Sequence, residues 1–489
     1  MAITEDELRQ GSRIRNWWSR RCGAHEVLCL ALPLVISTIS WTIMNFVDRM
    51  FLLWYSMPAM AAAMPGGMVY FTLVCLPLGV VMYGNTFVAQ YSGSNRPERI
   101  GPAVGQAVRI AIFSIIPALL IVPFADEVFN WVGHSETVAK YETIYLRVLL
   151  FGAGGMLIAA AQSTFFTGRG ETRVVMIVDS SAAALNVLLD YLMIFGHLGF
   201  PEMGIEGAAW ATVVSQWSKV LFYGAIMIRP HYVHTYHLLD GFRFDRDLFS
   251  RLLRFGGPNG LQFFVEIFAL TLFMMLVGRL GEEAMVMTTL AFNVNSMAFV
   301  PILGLGTAVT TMVGKQLGDN RPDMASRATW TSYHLAILYT LPMGVLYLLT
   351  PGVFLMGHAS GMEAEQFSQL ESTVIILLRF VAFYVLFDTT AVVFVSAIKG
   401  AGDTHFVLIT TAWTAPLPLI AGTVGVRWFG GGLLWCWTAI TAWICLVGFI
   451  YLFRFLGGRW KTMRVIESVA APPSDPAKPS KCSTLPLSN

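Results

Sequence analysis

Charge is what this chain has least of. Only 13% of its 489 residues are Asp, Glu, Lys or Arg, while 55% are hydrophobic; soluble domains carry roughly a quarter charged residues. With a mean hydropathy of +0.62, the composition excludes a soluble globular protein and points to an integral membrane protein. A formal net charge of +2 is too small to suggest a nucleic-acid partner. The six cysteines (Cys22, Cys29, Cys75, Cys436, Cys445, Cys482) are scattered, without metal-type spacing. They read as small helix fillers, not a disulfide framework. No H-E-x-x-H or G-x-S-x-G element occurs, and no Cys/His pairing suggests catalysis. A polytopic membrane enzyme, the competing class, would need a water-facing nucleophile or metal cluster, and the sequence offers no good candidate.

What is abundant is apolar length. Runs of 20 or more apolar residues recur throughout, which selects helices over the weak alternation of a membrane barrel. Arg13, Arg15, Arg20 and Arg21 before an apolar stretch resemble a signal peptide, but Val27 to Leu53 is far longer than a signal core. Residues 1–24 read as a polar lead-in. Twelve spans are expected at about 26–54, 65–91, 102–123, 142–167, 174–196, 205–228, 252–279, 284–314, 327–350, 371–399, 405–425 and 432–456. The domain reading is an N-lobe over 25–228, a linker over 229–251, a C-lobe over 252–456 and a disordered, Pro/Ser/Lys-rich tail over 457–489. Arg96, Arg99, Arg169, Arg173, the 229–254 stretch, Lys315, Arg321, Lys399 and both termini fall on one side. The opposite loops are richer in acids, among them Asp126, Glu127, Glu282, Glu283, Glu363 and Glu365. The positive-inside rule then places both termini in the cytoplasm of a multi-pass inner-membrane protein.

The halves repeat. Phe87 to Arg99 (FVAQYSGSNRPER) answers Met312 to Met324 (MVGKQLGDNRPDM), with Gly93/Gly318, Asn95/Asn320, Arg96/Arg321 and Pro97/Pro322 all 225 apart. Pro33/Pro258, Gly79/Gly304 and Trp210/Trp435 keep that offset. Gly168-Arg-Gly-Glu-Thr-Arg173 answers Gly400-Ala-Gly-Asp-Thr-His405 at 232, as do Arg147/Arg379. These G-x-G-x-T loops lack the Gly-Lys-Ser/Thr and preceding strand of a phosphate cradle and read as tight turns. Six spans per repeat is an even number, so the copies run the same way through the membrane. The fold class is therefore an all-α polytopic membrane protein: twelve transmembrane helices in two six-helix bundles related by pseudo-two-fold symmetry along the membrane normal. Such repeats rock about a central site in secondary transporters.

Ionisable groups within spans are costly and mark a cavity or a partner. In Val178–Gly196, Asn186 and Asp190 stand four residues apart, on one helix face; snorkelling of a carboxylate near a helix end is the alternative. Asp48 sits in the first span beside Arg49, whose long side chain reaches the interface. Thr212 in the sixth span could bind Na⁺ or orient a carboxylate, or simply pack; Gln162 and Ser163 are weaker candidates. The second half has Glu266 eight residues after Pro258, and Asp388 with Tyr384 one turn earlier. Both acids lie far from span ends. Burial disfavours a charged carboxylate while a bound cation favours it, which is a physical basis for exchanging H⁺ or Na⁺. Arg147 and Arg379 read as interfacial anchors, and His231, His234 and His237 as part of a polar linker. The 24 Met and 34 Phe suit a lipid-exposed protein that could also line a greasy cavity.

At these residues the chain resembles the MATE (multidrug and toxic compound extrusion) family, over about residues 25–456. LALPLVIS with FVD, G-R-G-E-T-R, N-x-x-x-D-Y-x-x-I-F-G, P-x-x-G-I-x-G-A-A-x-A-T and K-G-A-G-D-T look like its signatures. The resemblance implies two lobes forming a V, and antiport of amphipathic, often cationic compounds against H⁺ or Na⁺. It implies no cofactor beyond the coupling ion. By position it carries over an N-lobe cation and proton site at Asp48, Asn186, Asp190 and Thr212. The NorM-like branch carries over a C-lobe cation site at Glu266, Tyr384 and Asp388, with Na⁺ expected at Glu266 and Asp388. Arg49 departs from the small hydroxyl residue common there, and Gln162–Ser163 stands where some members have an asparagine. Small amphipathic substrates and the bilayer are the expected partners, and a monomer the expected state. A flippase for a lipid-linked precursor is the runner-up; it would favour a strongly basic cavity, and intramembrane arginines here are few.

Overall fold

The computed structural model describes residues 17–132, 136–359 and 364–467. Most of the lead-in, most of the expected tail and Cys482 lie outside them. The regular structure among the described residues is all helical, with no strand among them. The first half contains α1 (Ala24–Tyr55), α2 (Met57–Met82), α3 (Gly84–Gly93), α4 (Ile100–Leu120), α5 (Ala125–Val132), α6 (Glu136–Arg169), α7 (Thr172–Phe195), α8 (Ile205–Met227) and the short α9 (Pro230–Thr235). The second contains α10 (Arg246–Gly278), α11 (Glu282–Gly318), α12 (Pro322–Leu349), α13 (Pro351–Ala359), α14 (Ala364–Ala401), α15 (Thr404–Thr414), α16 (Pro416–Trp428) and α17 (Leu433–Leu456).

Eleven helical segments among the described residues are long and apolar enough to cross a membrane. The sixth expected span, α8, is long enough at 23 residues but is diluted by Glu206, Gln216 and Lys219, so it falls outside those eleven. It nevertheless packs along α6 and α7 as a bundle member does. Local chemistry sets the ends. Ser56 Oγ caps α2 by accepting from Ala59 N (3.2 Å), and Asp245 Oδ1 caps α10 by accepting from Leu248 N (3.0 Å). That second cap starts α10 at Arg246, six residues before the expected 252. Gly196, with φ of 72°, stops α7 in the left-handed conformation glycine adopts freely.

The repeat is visible as packing. In the first half α2 lies on α6, α1 on α7, α6 on α8 and α4 on α6; in the second α11 lies on α14, α10 on α15, α14 on α17 and α12 on α14. The halves meet through α1 with α11, α2 with α10, and α3 with α11. The seam is reciprocal at the level of single residues. A Cβ on Gly93 would stand 1.9 Å from Lys315 O, and one on Gly318 would stand 2.1 Å from Gln90 O. Each contact becomes the other when 225 is added. Gly79 against Gly260 and Gly304 against Val35 form a second such pair. Small residues here let backbones approach closely, as in membrane helix interfaces generally.

One face gathers the basic loops. Arg99 pairs with Asp245 (3.3 Å), and Arg21 and Arg321 both pair with Asp319 (3.2 Å each). Residues 457–467, expected to begin a disordered tail, are instead packed against this face: Trp460 is buried against Phe455, and Val465 is buried as well. Glu467 accepts from Tyr91 Oη (2.8 Å), Arg96 Nη2 (3.3 Å), Arg99 Nη2 (3.1 Å) and Arg251 Nη1 (2.7 Å), drawing both halves together.

Burial alone would push the Glu467 carboxyl up, but the hydrogen bond from Arg251 and its other donors outweigh it and hold the group at about 2. An unperturbed Glu sits near 4.3, so this stabilisation is complete above about pH 4.3 and is lost as pH falls toward 2. Glu467→Gln should therefore lower stability at pH 7 by about 1 kcal/mol, a modest figure because the side chain is 34% exposed. Thermal unfolding of the detergent-solubilised pair should show the gap narrowing between pH 5 and pH 3. A gap constant over that range would contradict the assignment.

Candidate functional site

Polar residues in the first half converge because α7 and α8 carry them with the same spacing. Asp179, Asn186 and Asp190 on α7 follow one another at intervals of seven and four residues, as do Thr212, Lys219 and Tyr223 on α8. Those intervals return to one helix face. The helices run antiparallel, so the two stripes meet at two levels.

At the first level the structure brings together all four residues expected there. With its amide oriented to satisfy both sides, Asn186 donates to Asp190 Oδ2 (3.1 Å) and accepts from Thr212 N (3.3 Å). Asp48, from α1, accepts from Tyr145 Oη of α6 (3.4 Å) and interacts electrostatically with Asp190. Asp190 is 0% exposed and Asp48 8%. Each keeps one oxygen, Oδ1, buried and without a partner among the described residues. A buried unpartnered acceptor is costly, and two acids joined in this way make a natural seat for one shared proton or a small cation. Arg49 is exposed and acts on Asp48 as a neighbouring charge. Tyr145 was not legible as a site residue, since a tyrosine in a span is ordinary.

At the second level Asp179 accepts from Tyr223 Oη (3.3 Å), lies 3.3 Å from Lys219 Nζ, and accepts from Ser37 Oγ of α1. Sequence reasoning missed this cluster, although the shared spacing on α7 and α8 would have found it. Gln162 faces Gly224 of α8 and has its Oε1 buried without a partner, while Ser163 donates to Ala160 O (2.8 Å).

In the second half Glu266 of α10 interacts electrostatically with Asp388 of α14, and Asp388 with Tyr384 one turn earlier. Tyr384 is buried; the two acids are half-buried. Lys399, read from sequence as a loop cation, instead reaches back along its apolar stem and donates to Gln262 Oε1 (2.5 Å), close enough to act on Glu266. This half thus carries an ammonium group of its own beside the acid. Among the described residues no cluster of three His, Cys, Asp or Glu could hold a metal ion. The three central histidines form no such group, and His237 pairs with Asp240 (2.9 Å). Arg147 pairs with Asp126 (2.5 Å) at the face opposite the basic loops.

Comparison with known proteins agrees with this layout. The sequence model of the family described as MatE matches residues 33–192 and 258–423, two blocks that open on the equivalent Pro33 and Pro258. The chain is similar to a probable multidrug resistance protein NorM of Thermotoga maritima, 29% identical over 457 residues, covering 90% of this chain and 94% of the relative. A protein of the same description from Brucella suis is 26% identical over 445 residues, covering 89% and 94%. Among solved structures, a MOP superfamily transporter from Pyrococcus furiosus superposes with a TM-score of 0.81 at 21% identity, covering 90% of this chain and 97% of its own. An outward-facing multidrug resistance MATE family transporter gives 0.80 at 20% identity, covering 89% and 95%. At such identities the structures speak for the fold.

Proposed function

Because the chain belongs to the MATE family, whose members are transporters and not enzymes, we propose that it exports amphipathic, often cationic compounds in exchange for H⁺ or Na⁺. The relatives support multidrug efflux; alternating access follows from the two-fold repeat, and placement in the inner membrane with the basic face and both termini cytoplasmic rests on the positive-inside rule. The observation that carries the exchange is the pair of buried, unpartnered oxygens, Asp48 Oδ1 and Asp190 Oδ1, on helices α1 and α7. α1 also touches α11 of the other half. A proton or cation taken up between the two acids changes the charge at a point from which α1 runs to the seam between the repeats.

Coupling demands that ion and substrate favour different arrangements, or compete for one. A protonated acid pair, stripped of its charge, tolerates an apolar neighbourhood; an ionised pair attracts a cationic substrate or draws in water. The N-lobe pair is the better coupling seat. In the C-lobe, Lys399 already supplies Glu266 with a nearby positive charge, so Na⁺ at Glu266 and Asp388 would have to compete with it.

The decisive measurement is dye efflux by purified protein in liposomes, with pH and Na⁺ gradients imposed separately. Transport driven by one gradient alone names the ion; transport indifferent to both would end the antiporter reading. In the same assay Glu266→Gln and Asp388→Asn should reduce substrate flux while leaving the choice of driving ion unchanged. If either substitution switches the ion, the C-lobe is the coupling seat instead.

A further inference from the structure

The groove that holds the end of the described chain has a twin across the pseudo-two-fold. In the filled groove, Val465 N donates to Gln90 Oε1 (2.9 Å), Val465 lies against Gly402, and Tyr91 and Arg251 grip Glu467. The repeat offsets convert Gln90, Tyr91, Arg251, Phe255 and Gly402 into Lys315, Gln316, Glu26, Leu30 and Gly170. All five of these counterparts line one cavity of about 220 Å³ on the basic face, together with Arg169. The local geometry is repeated too. Gly170 and Gly402 both have positive φ (88° and 112°), and a Cβ on either would meet the equivalent side chain, Leu30 at 3.1 Å or Phe255 at 3.8 Å. In the second groove no residue of the described chain takes the places of Val465 and Glu467.

Its walls call for a particular chemistry. Arg169 has a side chain only 3% exposed; its Nη2 pairs with Glu171 Oε2 (2.6 Å) and its guanidinium lies over the Phe165, Tyr232 and Tyr236 rings, which leaves Nη1 without a hydrogen-bond acceptor among the described residues, while Gln316 is 4% exposed and its Oε1 lacks a donor. The first needs an acceptor and the second a donor. Lys315 replaces the neutral Gln90 and adds positive charge at one end. Glu26 replaces Arg251 and makes the other end negative. A lone anion of the Glu467 kind would therefore meet repulsion at the Glu26 corner, whereas a dipolar group satisfies both ends. The volume far exceeds the ~15 Å³ that one water needs. Leu30 and Met312 give the cavity apolar lining, and α1 continues outward from it with exposed Leu32 and Ile36.

We propose that this groove seats a zwitterionic phospholipid headgroup of the phosphoethanolamine class. Its phosphate lies toward Arg169 and Lys315, its ammonium toward Gln316 and Glu26, and its acyl chains run along the exposed face of α1. Basic pockets between membrane helices at the headgroup level are an established mode of lipid capture. Choline lipids fit less well because a quaternary ammonium has no N–H for Gln316; glycerol lipids lack the cation for Glu26. The two halves share the site, Glu26, Leu30 and Arg169 from one, Lys315 and Gln316 from the other, so the headgroup favours the arrangement in which the basic ends are together.

The test is lipid retention by the full chain, measured by native mass spectrometry after exchange into nanodiscs of dioleoyl phosphatidylethanolamine, phosphatidylcholine or phosphatidylglycerol. The ethanolamine lipid should be retained about tenfold more strongly than either other lipid. Glu26→Gln and Lys315→Gln should each erase most of that preference, and Glu467→Gln, in the twin groove, should leave it intact. Equal retention of the three lipids overturns the proposal, as does strongest retention of phosphatidylglycerol. So does a preference that survives both Glu26→Gln and Lys315→Gln. Protection of Cys29, which also lines the groove, from a thiol reagent in lipid-free detergent, lost on deleting residues 2–16, would give the groove to the chain's own N-terminus. Because retention is read without transport, failure here is separable from failure of the antiport reading.

Discussion

Asp190→Asn should fold, reach the membrane and lose ion-driven efflux. The substitution keeps the shape and the hydrogen bond that Asn186 requires but removes the charge that a proton or cation would meet. Coupling free energies between sites typically amount to about 1–3 kcal/mol, so a loss of about 5- to 150-fold in gradient-driven flux is expected. Asp48→Asn should give a similar loss, and the double variant little more, if the two carboxylates, with one unpartnered oxygen each, serve as the single seat proposed above. Thermal unfolding should be unchanged or slightly raised, since an uncompensated buried charge is removed. The measurement is proteoliposome efflux beside substrate binding at fixed pH. Additive losses in the double variant would show two independent sites and overturn the shared seat. Wild-type flux in Asp190→Asn would remove the pair from the mechanism.

The second large effect is expected at the seam. Gly93→Val cannot be accommodated while Lys315 O stands 1.9 Å from the position of a Cβ, and helical backbone cannot yield locally as a flexible side chain can. The same holds for Gly318→Val against Gln90 O, at 2.1 Å. Overpacking costs about 1–3 kcal/mol even where the core can adjust, so either variant should separate the basic ends. Because the contacts are reciprocal, the two single variants should have matching phenotypes: raised accessibility at this face and transport at a small fraction of wild type. A cysteine introduced at Ser94, tested with a membrane-impermeant thiol reagent, reads the opening. Unequal outcomes for the two glycines would mean that the sequence repeat is not mirrored in how the halves move.

Much of this architecture can be read from residues. The apolar runs locate the helices, and the 225 offset pairs Gly93 with Gly318; that the two meet across a seam between the halves shows only in the packing. Asp48, Asn186, Asp190 and Thr212 stand out because each is polar in apolar surroundings, and they meet as expected. What escapes inspection is polarity in disguise. Tyr145 resembles any membrane tyrosine, and only the packing of α1 and α6 in space aims its hydroxyl at Asp48. Lys399 precedes the Gly400 turn and so reads as a loop residue, yet its long stem returns the ammonium to Gln262 and Glu266. Residues 457–467 look like the start of an unstructured tail because their composition is mixed; what orders them is a tertiary contact network centred on Arg251 and Gln90. Lys219 and Asp179 were within reach, since their seven-residue distance from Thr212 and Asn186 marks a shared face. Reading α7 alone hid a pattern that exists only when α8 is laid beside it.

That pattern also restricts how the first half can move. The two polar levels of α7 and α8 lie seven residues apart on each helix, about 10 Å along the axis at 1.5 Å per residue. Like a rack held by two teeth, the helices cannot slip past each other by a turn without breaking both the Asp190–Asn186–Thr212 and the Asp179–Lys219–Tyr223 contacts at once. Sliding therefore costs both sets of contacts together, and swing costs neither. The pair travels as one rod, and a change of charge at Asp190 is felt by the helices packed beside it, α6 and α1, the second of which leads onward to α11.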